Sequence, residues 1–149
     1  MSGAERESGV QAHGDGAVLI GVDLMKSKEQ LIAAYDDSEG RTAAFNLNLL
    51  ERIKRELNAE LEIDAFAHEA RFNPGENRVE MHLVVNRPTR IQIENQKFEF
   101  AAGDSIHTES SHKYSVSDFR DLAHRAGLKS VKVWKDPDGL FSMHWLEAG

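Results

Sequence analysis

The chain has 149 residues, of which 40% are hydrophobic and 29% charged, and its formal net charge is −7. This size and balance are ordinary for a soluble globular domain that buries a real core. Acidic and basic residues are interleaved, without the basic stripe of a general nucleic-acid binder. The absence of cysteine from the sequence excludes disulfides, thiolate nucleophiles and thiolate zinc sites.

The sequence carries no sign of membrane association or export. Its longest apolar stretch, residues 17–22, is far too short to span a bilayer. No basic segment followed by an apolar run opens the chain, so no secretory signal is visible. Lys129, Lys132 and Lys135 lie among alternating apolar residues, which is typical of a solvated strand face. We therefore expect a cytoplasmic protein whose partners include neither membrane nor nucleic acid.

The first elements expected along the chain are a disordered lead-in, a strand and a helix. Residues 1–16 are polar, glycine-rich and aperiodic, as disordered segments are. Residues 17–22 form a continuous apolar run, which predicts a strand buried on both faces, as in a parallel sheet covered by helices. Ser27, with Gln30 three residues later, predicts a capping-box start for a helix that runs to Tyr35.

A longer helix is expected after Gly40, with Thr42 as its cap. Asn46 and Asn48 within it are interpreted as local polar positions. Apolar residues that recur at helical spacing predict its buried face. These residues are Phe45, Leu49, Ile53 and Leu57.

From His68 onward the apolar period changes to two, which predicts β-strands. Four short alternating runs are separated by turn signals, so we expect an antiparallel meander. The turn signals are Asn73-Pro74-Gly75, Arg87-Pro88 and Glu94-Asn95.

The last part of the chain predicts a helix and a hairpin. Ser115 is the expected N-terminal cap of the helix and Gly127 its C-terminal cap. Two final strands enclose a turn at residues 136–139. The whole pattern predicts a mixed α/β chain. The apolar residues of the helix are Phe119, Leu122, Ala123 and Ala126.

Residues 106–115 (IHTESSHKYS) form the most distinctive polar segment. If the segment is extended, His107, Glu109 and Ser111 share one face, because side chains alternate along a strand. A carboxylate and a hydroxyl one step apart can bind the two nitrogens of an imidazole or another small donor-rich ligand. The alternative is a polar strand end and helix cap without a ligand. A metal site on His107, Glu109 and His112 is the weakest interpretation, since alternation puts His112 on the opposite face.

Tyr35 and Met81 are weak signals by themselves. An aromatic residue near a helix end and a methionine in a strand are ordinary core residues. Met81 alternates with His82, so we expect one of the two to face inward. No glycine-rich phosphate loop or dinucleotide fingerprint follows a predicted strand. Four histidines have no triad-like companions and are interpreted as surface or core residues: His68, His82, His124 and His144.

Together, four separated stretches resemble the histidine-specific, S-adenosylmethionine-dependent methyltransferase family. Its best-known activity trimethylates the α-amino group of histidine on the route to ergothioneine. The resemblance runs from about Ala17 to the end of the chain, with matching order and spacing. The stretches are LIGVDLMKSKEQLIAAYDDSEGRTAAFNLNLLERIKREL, FNPGENRVEMHLV, FAAGDSIHTESSHKYS and VWKDPDGLFSMHWLE.

The resemblance implies an α/β fold, namely the C-terminal half of a Rossmann-like class I methyltransferase sheet with an inserted antiparallel β subdomain that binds substrate. Residues 17–22 would be the fifth strand of that sheet and the terminal hairpin its last two, in the order 5-7-6. The methyltransferase part would span residues 17–149 and the substrate subdomain about residues 64–112.

The same resemblance implies four residues that bind substrate. Tyr35 matches the family tyrosine that reaches the substrate carboxylate, and Met81 matches an apolar wall residue. Glu109 and Ser111 match the pair that holds the imidazole ring. No catalytic, cofactor-binding or metal-binding residue is implied within the chain. The expected substrate is an amino acid, with histidine as the first candidate.

The family's cofactor is S-adenosylmethionine, and the resemblance places its glycine-rich turn upstream of every matched stretch. Methyl transfer requires that amine and sulfonium be held close and in line, so we expect the chain to be inactive alone. Three alternatives stay open: a truncated gene product, half of a split enzyme, or a fragment reused as a non-catalytic amino-acid- or amine-binding module. The expected partner is a separate N-terminal cofactor domain, or a second copy bound through residues 17–22.

Overall fold

The computed structural model describes residues 16–149, so the predicted disordered lead-in lies outside the described residues except for Gly16. The predicted mixed α/β class is confirmed. None of the helices described within residues 16–149 is long and apolar enough to cross a membrane. The elements in chain order are β1 (Ala17–Asp23), α1 (Lys28–Tyr35), α2 (Arg41–Glu56), a 3₁₀ turn (Ile63–Ala65), β2 (Phe66–Asn73), β3 (Arg78–Val85), β4 (Thr89–Ile93), β5 (Gln96–Phe100), β6 (Ser105–His112), α3 (Val116–Arg125), β7 (Leu128–Lys135) and β8 (Phe141–Ala148).

The described residues divide into two compact units, one of which joins residues 16–25 to Lys113–Gly149. Its three strands form a sheet in the order β1-β8-β7, with both pairings antiparallel. One face of the sheet packs on α3, and the core between them contains Val22, Phe119, Ala123 and Leu146. Whether these strands are the fifth, seventh and sixth of a methyltransferase sheet stays a prediction.

The prediction that residues 17–22 form a strand was right, but the expected burial and parallel neighbours were wrong. β1 pairs with β8 alone among the described strands, and it does so antiparallel. Val18 and Ile20 pack towards α3, whereas Leu19 remains 50% exposed on the other face. A run of apolar residues is therefore compatible with a strand that has one covered face, because its period alone does not reveal what lies opposite.

The second unit, Lys26–His112, contains α1, α2 and strands β2 to β6. β2, β3 and β6 form an antiparallel sheet in that order, and β4 and β5 form a separate hairpin. The predicted strands and turns are present, but the meander was wrong, since β3 pairs with β6 and not with β4. β3 has eight residues and pairs along its length with β2 and β6, which also have eight residues each. β4 has only five residues.

Two helices cover one face of this sheet, and their first turns differ. α1 begins with the predicted capping box on Ser27 and Gln30. α2 begins at Arg41, so Thr42 is not its cap. Gly40 occupies the N-cap position with a φ of 68°, in the left-handed region that favours glycine. The Asp37 carboxylate instead accepts hydrogen bonds from the N–H groups of Arg41 and Thr42 at 2.9 and 2.8 Å. A hydrogen bond from the Thr42 side chain, together with these two bonds, lowers the pKa of Asp37.

The buried face of α2 is not the predicted one. Phe45 and Leu57 are 63% and 51% exposed, whereas Asn46 and Leu50 are fully buried. Residues four apart advance about 40° around a helix of 3.6 residues per turn. The first and last residues of the predicted row, Phe45 and Leu57, therefore point in directions well separated from each other, and both lie off the buried face. Of the predicted row, Ile53 packs against the core that contains Leu50.

Candidate functional site

Three of the four predicted substrate-binding residues line one pocket of about 370 Å³ in the unit Lys26–His112. Tyr35 comes from the end of α1, Met81 from the middle of β3 and Glu109 from β6. A larger pocket of about 500 Å³ lies beside Arg90 on β4, but it contains none of the predicted residues. The smaller pocket is therefore the candidate site. Its other lining residues are Ala34, Arg41, Thr42 and Phe45.

The fourth predicted residue, Ser111, is joined to this pocket through Tyr35. The two hydroxyl groups are hydrogen-bonded at 2.7 Å, and the pair is partly buried. Tyr35 is the last residue of α1, which places its ring beside the sheet. Ser111 stands opposite Val79, two residues along β6 from Glu109, which stands opposite Met81. The register therefore puts Glu109, Ser111 and Met81 on the helix-covered side of the sheet.

His107 does not share this side, so its predicted place beside Glu109 was wrong. The pairing of β3 with β6 shifts by one residue, because Met81 faces Glu109 while the next residue, His82, faces His107. Thr108 is the extra residue of a β-bulge, and a bulge changes the alternation of side chains on its strand. His107 and His82 thus stack on the opposite side of the sheet, with ring centroids 4.8 Å apart. Nothing in the local sequence marks the bulge.

The opposite side of the sheet carries a cluster of Glu80, His82 and His107. Asn73, His82 and Arg78 donate hydrogen bonds to the Glu80 carboxylate and lower its pKa to about 2. The two imidazole planes are 14° from parallel. A ring nitrogen binds metal in the plane of its ring, so these rotamers do not converge on one ion. The metal set considered from the sequence is also not assembled, because Glu109 faces the pocket.

Met81 and His82 point to opposite faces of the sheet, as their alternation predicted, and both are buried, at 4% and 7% exposure. β3 is the central strand of its sheet. Met81 lies under the helices, and His82 is covered by Glu80 and the ring of His107. A central strand can bury residues of both faces.

The interpretation of Asn46 as a local polar position was wrong, because its amide is buried and bonded to residues distant in sequence. Asn46 of α2 is 0% exposed. Its side-chain N–H groups meet His68 Nδ1 at 3.0 Å and the His82 carbonyl at 3.1 Å, and its oxygen accepts from the Thr108 hydroxyl at 2.7 Å. His68 Nε2 in turn lies 2.7 Å from the Tyr35 carbonyl. An asparagine in an amphipathic helix gave no signal of this role, because its partners come from three other elements.

The sequence matches the profile of a family described as histidine-specific, S-adenosylmethionine-dependent methyltransferases over residues 5–148. This chain belongs to that family. It is 38% identical over 129 residues to the histidine N-alpha-methyltransferase of Mycolicibacterium smegmatis, covering 85% of this chain and 40% of that protein. It is 38% identical over 138 residues to the protein of the same name from Mycobacterium tuberculosis, covering 91% of this chain and 43% of that protein.

A more distant relative is the N-methyltransferase imqF of Aspergillus flavus, which is 27% identical over 125 residues. That match covers 83% of this chain and 34% of the fungal protein. The chain thus spans about two fifths of the length of the two bacterial relatives, at 40% and 43%.

S-adenosylmethionine is the cofactor of this methyltransferase family. A glycine at a strand-to-helix turn allows the backbone to approach a nucleotide-like ligand closely. The two strand-to-helix connections within residues 16–149 are 24–27 and 113–115, and neither contains a glycine. These connections do not form a cradle for the cofactor. What the described residues do form is the pocket of about 370 Å³ lined by Tyr35, Met81 and Glu109.

Proposed function

We propose that this chain supplies the histidine-holding part of an S-adenosylmethionine-dependent N-methyltransferase that acts on the α-amino group of histidine. The observation that carries the proposal is the convergence of Tyr35, Met81 and Glu109 on one pocket, with Ser111 hydrogen-bonded to Tyr35. These residues come from three different elements, α1, β3 and β6. The names of the two bacterial relatives support histidine as the substrate.

Glu109 and Ser111 are the proposed partners of the imidazole ring. A carboxylate only accepts hydrogen bonds, whereas a hydroxyl both donates and accepts. Glu109 would therefore accept from the protonated ring nitrogen and Ser111 would donate to the other. A hydrogen bond to a charged group contributes about 1.5–3 kcal/mol. Met81, which is 4% exposed, would pack against the ring and exclude water.

Tyr35 is the proposed partner of the substrate carboxylate. Its hydroxyl is bonded to Ser111 at 2.7 Å, so ligand binding would exchange that bond for bonds to the ligand from both hydroxyls. With ring and carboxylate both fixed, the α-amino group has one position. This orientation is what methyl transfer requires, because the amine must lie in line with the methyl–sulfur bond. The methyl donor would be presented to the amine by residues outside this pocket.

The decisive experiment is a nuclear magnetic resonance titration of the 149-residue chain with L-histidine. We expect shifts at Tyr35, Met81 and Glu109, and weaker shifts with histamine, which lacks the carboxylate. Glu109→Ala should weaken binding about 10- to 150-fold, since it removes a charged hydrogen-bond partner. His112→Ala is the matched control from the same strand and should bind like the wild type. Equal losses in the two variants, or no binding by the wild type, would refute the proposal.

A further inference from the structure

We propose that Asn46 is the positioning residue of the pocket, and that hydrogen bonds from its buried side-chain amide fix the positions of both Tyr35 and Glu109. The inference rests on the proposed function for the identity of the ligand. The two pocket residues come from different elements, α1 and β6. Asn46 reaches each of them through one intermediate, His68 for Tyr35 and Thr108 for Glu109.

The orientation of the Asn46 amide is unambiguous. The atom that lies 3.1 Å from the His82 carbonyl must be the nitrogen, because a carbonyl oxygen only accepts hydrogen bonds. The same nitrogen uses its second proton on His68 Nδ1 at 3.0 Å. The amide oxygen faces the Thr108 hydroxyl at 2.7 Å. Both donors and the acceptor are thus satisfied at a site with 0% exposure, which leaves the side chain a single arrangement.

The first arm, which is the chain of hydrogen bonds from Asn46 through His68 to Tyr35, fixes the end of α1. Since His68 Nδ1 accepts from Asn46, the ring proton lies on Nε2, which donates to the Tyr35 carbonyl at 2.7 Å. The last four carbonyls of a helix have no partner within the helix. His68 supplies a partner to the carbonyl of the final residue. Tyr35, whose hydroxyl is bonded to Ser111, is therefore held at its backbone carbonyl by the His68 ring. Asn46 determines the tautomer of that ring.

The second arm, which is the hydrogen bond from the Thr108 hydroxyl to Asn46, stabilises the bulge that directs Glu109 towards the pocket. His107 lies on the side of the sheet away from the pocket, so strict alternation would put Thr108 on the pocket side and Glu109 away from it. The extra residue brings Glu109 to the pocket side, where it faces Met81. The Thr108 hydroxyl lies 2.7 Å from Asn46 Oδ1 and 3.0 Å from the Met81 carbonyl, and shares its proton between them. Asn46 thus stabilises the local geometry that gives the pocket its carboxylate.

The first arm can be tested without ligand, from the nitrogen resonances of the His68 ring. The wild type should show a proton on Nε2 and a bare Nδ1. Asn46→Asp keeps the shape and the acceptor for Thr108 but replaces the donor, so Nδ1 should become protonated and the Tyr35 amide should shift. Asn48→Asp, at an exposed position of the same helix, should change neither. A proton on Nδ1 in the wild type, or equal effects of the two variants, would overturn the arm.

The second arm is tested by Thr108→Val and Thr108→Ser, which differ in the hydroxyl. Thr108→Val keeps the branched shape, and we expect L-histidine to bind it about three- to tenfold more weakly, as the loss of one net hydrogen bond implies. The Glu109 amide should shift even without ligand. Thr108→Ser should restore both properties. If Thr108→Val matches the wild type in affinity and in the Glu109 shift, the arm is wrong.

The two proposals fail in different ways. If the wild type does not bind L-histidine, the proposed function falls, while the His68 tautomer and the ligand-free Glu109 shift still decide the role of Asn46. If the wild type binds and neither arm responds, the proposed function stands and Asn46 serves stability alone. Circular dichroism of each variant identifies any that fails to fold, and the wild-type tautomer then still tests the first arm.

Discussion

At the scale of single residues, His144 combines full burial with an incomplete hydrogen-bond set. Its ring is 0% exposed and packs 4.6 Å from that of Phe119, centroid to centroid. Nε2 lies 2.9 Å from the Ser142 hydroxyl, whereas Nδ1 has no partner among the described residues. Burial, with a smaller contribution from the charge of Arg120, lowers the pKa of His144 below 6.5. The fold therefore favours the neutral ring.

This burial predicts a loss of stability on mild acidification. Because the pKa of His144 is lower in the folded than in the unfolded state, its contribution is present above pH 6.5 and is lost as the pH falls through the folded pKa. His144→Gln removes the titration and should flatten the dependence of the unfolding free energy on pH in that window. Urea unfolding from pH 7.5 to 5 measures it. The exposed His124, changed to Gln, is the control and should leave the wild-type slope. An unchanged slope in His144→Gln would contradict the prediction.

At the scale of elements, α1 is the short helix that carries Tyr35, and its start depends on one cap. Ser27 accepts from the Gln30 backbone N–H at 3.3 Å, and Gln30 accepts in return from the Ser27 N–H. The helix has eight residues and buries only Leu31 fully. A helix this short is marginal without its cap and tertiary contacts.

Ser27→Ala should therefore lower the unfolding free energy by about 1 kcal/mol, the usual cost of a lost side-chain cap. Because the lost cap belongs to α1, amide exchange should accelerate along Lys28–Tyr35, which ends at the pocket residue Tyr35, more than in α2. Ser38→Ala, at an exposed position after the helix, should leave both quantities unchanged. Urea unfolding and hydrogen exchange decide it. Equal exchange rates in wild type and Ser27→Ala would mean that packing alone holds α1.

The elements show which features the sequence could and could not predict. Caps and turns are local, so Ser27, Gly127 and the turn before β8 were correctly predicted. Strand neighbours, the burial of Asn46 and the bulge at Thr108 depend on partners distant in sequence. The convergence of Tyr35 and Glu109 on one pocket was implied only by family resemblance, because no local pattern joins residues from α1 and β6.

At the scale of the whole molecule, the sheet β1-β8-β7 has two edges of different character. No strand among residues 16–149 pairs with the outer edge of β1, and no charged residue occurs in 17–22. The β7 edge carries three lysines and a register shift beside Lys132. Lysines and bulges protect edges from pairing with another chain. Leu19 on β1 is 50% exposed.

We therefore predict that the chain associates through the edge of β1, with a second copy or with a separately expressed cofactor domain. Leu19→Lys places a charge where an incoming strand would pack and should shift the population towards monomer. Val131→Lys, at a position of equal 50% exposure on β7, is the matched control and should leave the association unchanged, because the β7 edge is already charged. Light scattering after size-exclusion chromatography at several concentrations measures the mass. A monomer throughout, with the amides of residues 18–20 protected from exchange, would mean that the edge is already covered within one chain, and it would contradict the prediction.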